Sequence, residues 1–342
     1  MPSSTSSSDA TASRARSSTS RWLVILLASL AALCVFLEAG TRLVVGDMSN
    51  TLRRIRTESR QAKTIGSDKQ SEELLIVGNS LMLAGVDVGA LNEPLQPKWR
   101  GVRFGMEQTT YYDWYYGLKR LTADGARPSA ILVCLEPRHL VGTSVRTELF
   151  AYYLMRTRDT LSVSRTLDLS PSGTADLFLA NVSAFWALRK EIRKNLLMRL
   201  MPELPKLTRM MTRGGGSPPP EAAELLASGR VRLEGLREIA DSAGARLIVV
   251  MMPPVSSQQR TALREIGGEL HIPIVAPLTE QELQPGDYDL DQYHLSEQGR
   301  SRFTRALAND LLGVLQSTPA PTLRASDSPP SSASPQPGLR GT

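Results

Sequence analysis

Short runs of branched apolar residues, separated by longer stretches of helical periodicity, organise most of this chain. LLIVG at 74–78, GVRFG at 101–105, AILVCLEP at 130–137, ARLIVVMMPP at 245–254 and IPIVAPL at 272–278 each read as a strand. Most are apolar without alternation, as expected of strands covered on both faces. Helices are predicted over 109–123, 220–242, 257–269 and 296–316. The last opens on Ser296, a good N-cap, and repeats Phe303, Leu307, Leu311 and Leu315 on one face. Strands alternating with helices predict an α/β domain around a mostly parallel five-stranded sheet. No internal repeat is visible.

The N-terminal pattern is different. Residues 1–21 are rich in Ser, Thr, Ala and Arg and predict a disordered tail. Trp22 to Leu37 is then continuously apolar or small, slightly short for a bilayer. Extension to Val45 gives a normal span that takes in Glu38 and Arg42, which can pair at i,i+4 near the interface. A cleaved signal peptide is the alternative, but no small-x-small site follows the apolar core. The reading is therefore an uncleaved anchor at 22–45. Arg14, Arg16 and Arg21 before the span favour a cytoplasmic N-terminus, while Arg53, Arg54, Arg56 and Arg60 after it weaken that argument.

Residues 46–70 are polar and predict a stalk, and the main domain runs over 71–316. Within it, about 143–219 is an extra segment between the third and fourth strands that ends in GGGSPPP. Its 184–213 stretch reads as a basic, amphipathic helical insert, covering a sheet edge or touching an anionic surface. Residues 317–342 are Pro- and Ser-rich and predict a second disordered tail.

Composition removes several classes of function. The net charge is +6 and the pI near 9.5, compatible with nucleic acid, an acidic polymer or an anionic membrane. No zinc-finger spacing, RNP motif or Gly-Lys-Ser phosphate loop supports a nucleic-acid or nucleotide partner. Cys34 lies in the apolar span and Cys134 in a strand, so no disulfide framework or cysteine metal site is implied. His139, His271 and His294 are too few for a multi-histidine metal site, and no cofactor is expected.

Two short motifs carry candidate chemistry. Gly78-Asn79-Ser80 follows the first strand and leads into a helix, where open α/β sheets build their sites. Far along the chain, Asp291-Gln292-Tyr293-His294-Leu295 precedes the last helix. Asp291 can accept from the imidazole Nδ1–H and leave Nε2 free for a serine hydroxyl. Asp287 and Asp289 are alternative orienters of His294. Each motif alone has a plainer reading, a helix cap or a structural histidine; the pair is more specific.

Gly-x-Ser at the end of the first strand with Asp-x-x-His-Leu before the last helix resembles the SGNH (GDSL-like) hydrolases over about 71–316. That resemblance implies a flavodoxin-like three-layer sandwich. It implies Ser80 as nucleophile, His294 as general base and then acid, and Asp291 as orienter. Asn79 stands where the family usually has Asp. Gly105 matches the family's second block, whose amide lines an oxyanion hole together with the Ser80 amide. The third block, Gly-x-Asn-Asp, has no match: Glu136-Pro137-Arg138-His139 ends the third strand. An ionised Glu136 would repel an oxyanion, so either Arg138 donates or the hole uses only the Ser80 and Gly105 amides. His139 reads as a surface or capping residue or a second base, and His271 as structural. Asn79, Tyr111 and Trp114 are candidate substrate contacts; Tyr111, Tyr112, Trp114, Tyr115 and Tyr116 either stack on sugar rings or pack a helix onto the sheet.

The anchor, the insert and the altered third block are similar to a membrane-anchored branch of that family, the alginate O-acetylation and teichoic-acid D-alanylation proteins. That similarity implies an extracytoplasmic domain on a bacterial cytoplasmic membrane. It implies transfer or hydrolysis of acyl groups, usually acetyl, on a cell-surface or exported glycan. A membrane-bound O-acyltransferase would be the partner supplying the acyl group. The alternative is an inactive SGNH-fold scaffold or glycan-binding module.

Overall fold

The structure is a computed structural model that describes residues 9–45, 49–67, 71–201, 203, 219–279 and 281–317. The first eight residues, the C-terminal tail from 318, the end of the expected stalk and most of the Gly/Pro-rich break, with Lys206, Arg209 and Arg213, lie outside the described residues.

Five parallel strands form one sheet: β1 (Glu72–Gly78), β2 (Trp99–Gly105), β3 (Ala130–Leu135), β4 (Arg246–Met251) and β5 (Ile274–Val275). Their spatial order is β2-β1-β3-β4-β5, the flavodoxin-like order of a doubly wound α/β fold. The period-2 geometry of a strand sorts the residues to two faces. Leu75, Val77, Ile131, Val133, Val249 and Met251 enter one core; Leu74, Ile76, Leu132, Cys134, Ile248 and Val250 enter the other. Both faces are apolar, so the strands read as continuous apolar runs. β5 is much shorter than the run 272–278, because only Val249 and Val250 pair with it.

The helices are α1 (Asp9–Gly40), α2 (Asn50–Lys63), α3 (Ser80–Gly85), α4 (Val88–Leu95), α5 (Tyr111–Ala123), α6 (Pro137–Val141), α7 (Thr160–Thr166), α8 (Pro171–Val182), α9 (Ala184–Leu200), α10 (Ala222–Ser242), α11 (Ser257–Leu270) and α12 (Glu297–Ser317). α3, α4 and α12 cover one face of the sheet, with Phe303, Leu307, Leu311 and Leu315 buried in that core. Ser296 Oγ accepts from the Gly299 amide at the start of α12. α2, α5, α10 and α11 pack on the other face.

α1 begins well before the apolar stretch, inside the segment expected to be disordered, and a turn of wider helix continues it over Thr41–Val45. Arg21–Val44 is long and apolar enough to cross a membrane; its side chains from Trp22 to Phe36 are exposed, while Thr41 is buried. The polar segment after it is no free stalk. α2 buries Leu52, Ile55 and Ala62 beside β2, closing the sheet edge on that side. The insert is helical: α7, α8 and α9 with short turns over 147–159.

Candidate active site

In this strand order the chain turns to opposite sides after β1 and β3, which opens a crevice at their carboxyl ends. β1 ends at Gly78, in register with Gly105 on one side and Cys134 on the other. A Cβ at Gly78 would lie 2.6 Å from the Met82 side chain and 2.9 Å from the Cys134 carbonyl, so the turn needs glycine. Asn79 caps α3: its side-chain oxygen accepts from the Leu81 amide at 3.0 Å, and its Nδ2 donates to the Thr109 carbonyl at 3.1 Å. Ser80 is thereby the first residue of α3, at the rim of the crevice. Asn79 itself is buried with both ends of its amide in use in building the turn.

The other half arrives across the domain, in the loop before α12. Tyr288 and Leu295 bridge as antiparallel neighbours, and the Asp289 amide donates to the His294 carbonyl at 2.8 Å. Gln292 takes a left-handed conformation at φ +56, which folds this loop tightly. Asp287 is fully buried, accepts from the Gln284 amide and is ion-paired with Arg302, so it anchors the loop. Asp289 accepts from its own neighbour Leu290. Asp291 is the residue that meets the histidine.

His294 Nε2 lies 2.9 Å from Ser80 Oγ, and His294 Nδ1 lies 2.7 Å from Asp291 Oδ2. The second Asp291 oxygen accepts from the amides of Tyr293 and His294, both at 3.0 Å. Burial pushes the Asp291 carboxyl up, but the imidazole and the two amides together outweigh it and hold the group below the usual carboxylate range. An ionised Asp291 on Nδ1 favours the tautomer that leaves Nε2 able to accept the serine proton.

The oxyanion side differs from expectation. The Gly105 amide donates to Glu58 Oε2 at 2.9 Å, and its carbonyl accepts from Arg54 at 2.6 Å. Docking of α2 along β2 brings Glu58 there, where it also bonds Arg103 at 2.7 Å and Arg54 at 3.3 Å. Gly105 is therefore not a free oxyanion donor. At the end of β3, Glu136 is buried and ion-paired with Arg138 Nε at 2.7 Å, with His139 Nδ1 at 3.5 Å. Burial pushes the Glu136 carboxyl up, and Arg138 offsets this only in part. Arg138 lies over the Tyr293 ring, 5.2 Å from its centroid, and Tyr293 meets His294 edge-on. Arg138 thus props the histidine loop from beneath. His139 is neither a surface residue nor a ready base: burial first, then Arg138 and His294, push its imidazole down to about 4.

Ser80 and His294 open into a cavity of about 760 Å³. Its wall comes from the loop after β2 (Glu107, Gln108), from Arg146, and from Lys190, Glu191 and Lys194 of α9. Gln108 is exposed there and held at φ +61. Arg146 is tied to Glu191 at 2.8 Å and to the Glu107 carbonyl at 2.8 Å, which pins the insert to the β2 loop. Gln108 and Arg146 carry no motif; only the excess of basic residues in the insert hinted at this wall. Tyr111 and Trp114 are in the core instead, with the Trp114 indole donating to Thr109 Oγ1 at 3.0 Å. His271 ends α11 in a left-handed conformation, away from the cavity.

No protein family and no curated protein matches this sequence. Among solved structures, the crystal structure of TesA matches 71% of this chain and 99% of its own, at 12% identity and a TM-score of 0.38.

Proposed function

We propose that this protein is a serine-dependent acyl-transfer enzyme of the SGNH kind, an esterase or O-acyltransferase working by double displacement. The observation that carries the reading is the continuous hydrogen-bond chain from Ser80 Oγ through His294 to Asp291, between groups 214 residues apart in sequence. In the first half-reaction Ser80 Oγ attacks an acyl carbonyl while His294 Nε2 takes its proton. The imidazolium then protonates the leaving alkoxide. In the second half, water or a sugar hydroxyl gives its proton to His294 and takes the acyl group, and His294 returns the proton to Ser80 Oγ as the acyl–oxygen bond breaks. The Ser80 amide, at the start of α3 and outside the intrahelical ladder, donates to the oxyanion. Gln108, an exposed amide side chain that lines the same cavity as Ser80, is a second donor in this reading.

The substrate class follows from the sequence resemblance and is supported by the open, polar cavity: acyl groups, acetyl foremost, on a cell-surface or exported polysaccharide. In this reading the chain is a single-pass protein of a bacterial cytoplasmic membrane with its domain outside, and a membrane-bound O-acyltransferase supplies the acyl group. The rival is a non-catalytic scaffold, and the carboxylate seated on the Gly105 amide favours it. Labelling the full-length protein with a fluorophosphonate separates the two. Enzyme chemistry predicts labelling that Ser80→Ala and His294→Ala both abolish. A folded wild-type protein that takes no label supports the scaffold.

A further inference from the structure

The apolar end of the insert continues the membrane span. Glu38 lies where the apolar stretch ends, and its carboxylate takes the first turn of α9: Ser183 Oγ donates at 2.8 Å, the Ala184 amide at 2.9 Å and the Phe185 amide at 3.1 Å. A carboxylate on these amides satisfies donors that a helix start leaves open. Arg42, paired with Glu38 at 2.6 Å, also reaches the Val182 carbonyl. α9 then packs along the Thr41–Val45 turn. The last turns of α8 and the start of α9 are therefore fixed at the depth where the span leaves the hydrocarbon. At that level Phe178, Leu179 and Val182 point outward, each at least 40% exposed, while Leu177 and Ala180 face the core. Trp186 and Arg189 flank them, the guanidinium 4.2 Å from the indole, a pair suited to the headgroup layer.

We infer that this face beds into the lipid interface, with Glu38 as the latch that holds it there. The inference rests on reading 22–45 as a membrane span. The occupant is lipid and not another protein, because the face joins the end of the span through the Arg42 bond to the Val182 carbonyl and carries at its edge the Trp186–Arg189 pair, which Asp176 holds in place. The consequence concerns the cavity. α9 rises ~1.5 Å per residue, so Lys190 and Lys194 lie ~8–14 Å along it from Phe185. Thr51, a few residues beyond the span, lines the same cavity. The mouth beside Ser80 is then held at the membrane surface, within reach of a group presented there.

The test uses the full chain in phosphatidylcholine–phosphatidylglycerol vesicles, in a Cys34→Ser background. A nitroxide at Leu179→Cys, and separately at Phe178→Cys, is compared with Leu30→Cys in the span and Val231→Cys on α10. Both labels on the face should show severalfold lower collision with a water-soluble nickel chelate than position 231, and higher collision with oxygen. Adding Glu38→Ala should return position 179 toward the behaviour of 231 and leave 30 unchanged. Nickel access at 178 and 179 equal to that at 231, with 30 still shielded, would overturn the inference while leaving the span intact. Nickel access at 30 as well would overturn both. Shielding of 179 from nickel and oxygen alike would mean a second copy of the chain covers the face, and would also overturn it. Unchanged shielding in the Glu38→Ala protein would overturn the latch.

Discussion

The two sides of the Ser80 cavity use carboxylates in opposite ways. On the histidine side, Asp291 is ringed by donors, held below the ordinary carboxylate range, and aimed at Nδ1 of His294. On the β2–β3 side, carboxyls are buried as structural pieces: Glu58 on the Gly105 amide, Asp113 at the start of α5, Glu136 under Arg138. Burial pushes Asp113 up to about 7 and raises Glu136 as well. One side lines up a carboxylate, an imidazole and a hydroxyl; the other holds strands, α2 and the insert together. A carboxylate near a site is therefore informative only through its partners.

The sharpest break of that comparison is Asp291→Asn. If Asp291 sets the tautomer, turnover of an activated ester should fall by about 10⁴ with the fold unchanged. A loss under tenfold would mean the histidine is oriented by the loop alone. Next comes Glu58→Ala, which leaves Arg54 and Arg103 without their shared buried partner. Stability should drop by about 3–5 kcal/mol in denaturant titration. A near-neutral result would show that α2 docks through Leu52, Ile55 and Ala62 without help from the charge.

Asp113 gives a pH-dependent effect. Its folded-state value of about 7 lies above its ordinary 3.8, so the native state holds a proton that the unfolded chain releases first. Stability from this group is present below about pH 4 and is lost as pH rises toward 7, by at most about 1.4 kcal/mol per pH unit. Thermal melts from pH 4 to 8 should show a flatter profile for Asp113→Asn than for wild type. An identical slope in the two would remove Asp113 from the account. The smallest change is Trp114→Phe, which gives up the bond to Thr109. It should cost about 1 kcal/mol of stability and leave KM for a glycan ester unchanged. A raised KM at unchanged stability would instead restore Trp114 as a sugar contact.

Local chemistry made much of this legible beforehand. The five apolar runs, the helix from Ser296 and the Gly78-Asn79-Ser80 turn depend on neighbours in sequence, through side-chain period and capping, and those rules act within a few residues. Asp291 and His294 are close in sequence, so their pairing was visible too. The fate of Gly105 was not, because Glu58 reaches it only after α2 docks on β2. Tyr111 and Trp114 could not be divided between core and cavity by spacing, since an aromatic stripe looks the same in either place. The insert's role as cavity wall was hidden for a similar reason: Lys190, Glu191 and Lys194 acquire it only when Arg146 and Glu38 fix α9 in space.

The sequence by itself determined the α/β alternation, the apolar span and the two short motifs that carry Ser80, Asp291 and His294. Tertiary structure alone decided which donors near Ser80 are free and which are occupied. The physical reason is range: periodicity and capping act over one or two turns of chain, whereas a hydrogen-bond donor is claimed by whichever partner the completed fold brings within about 3 Å.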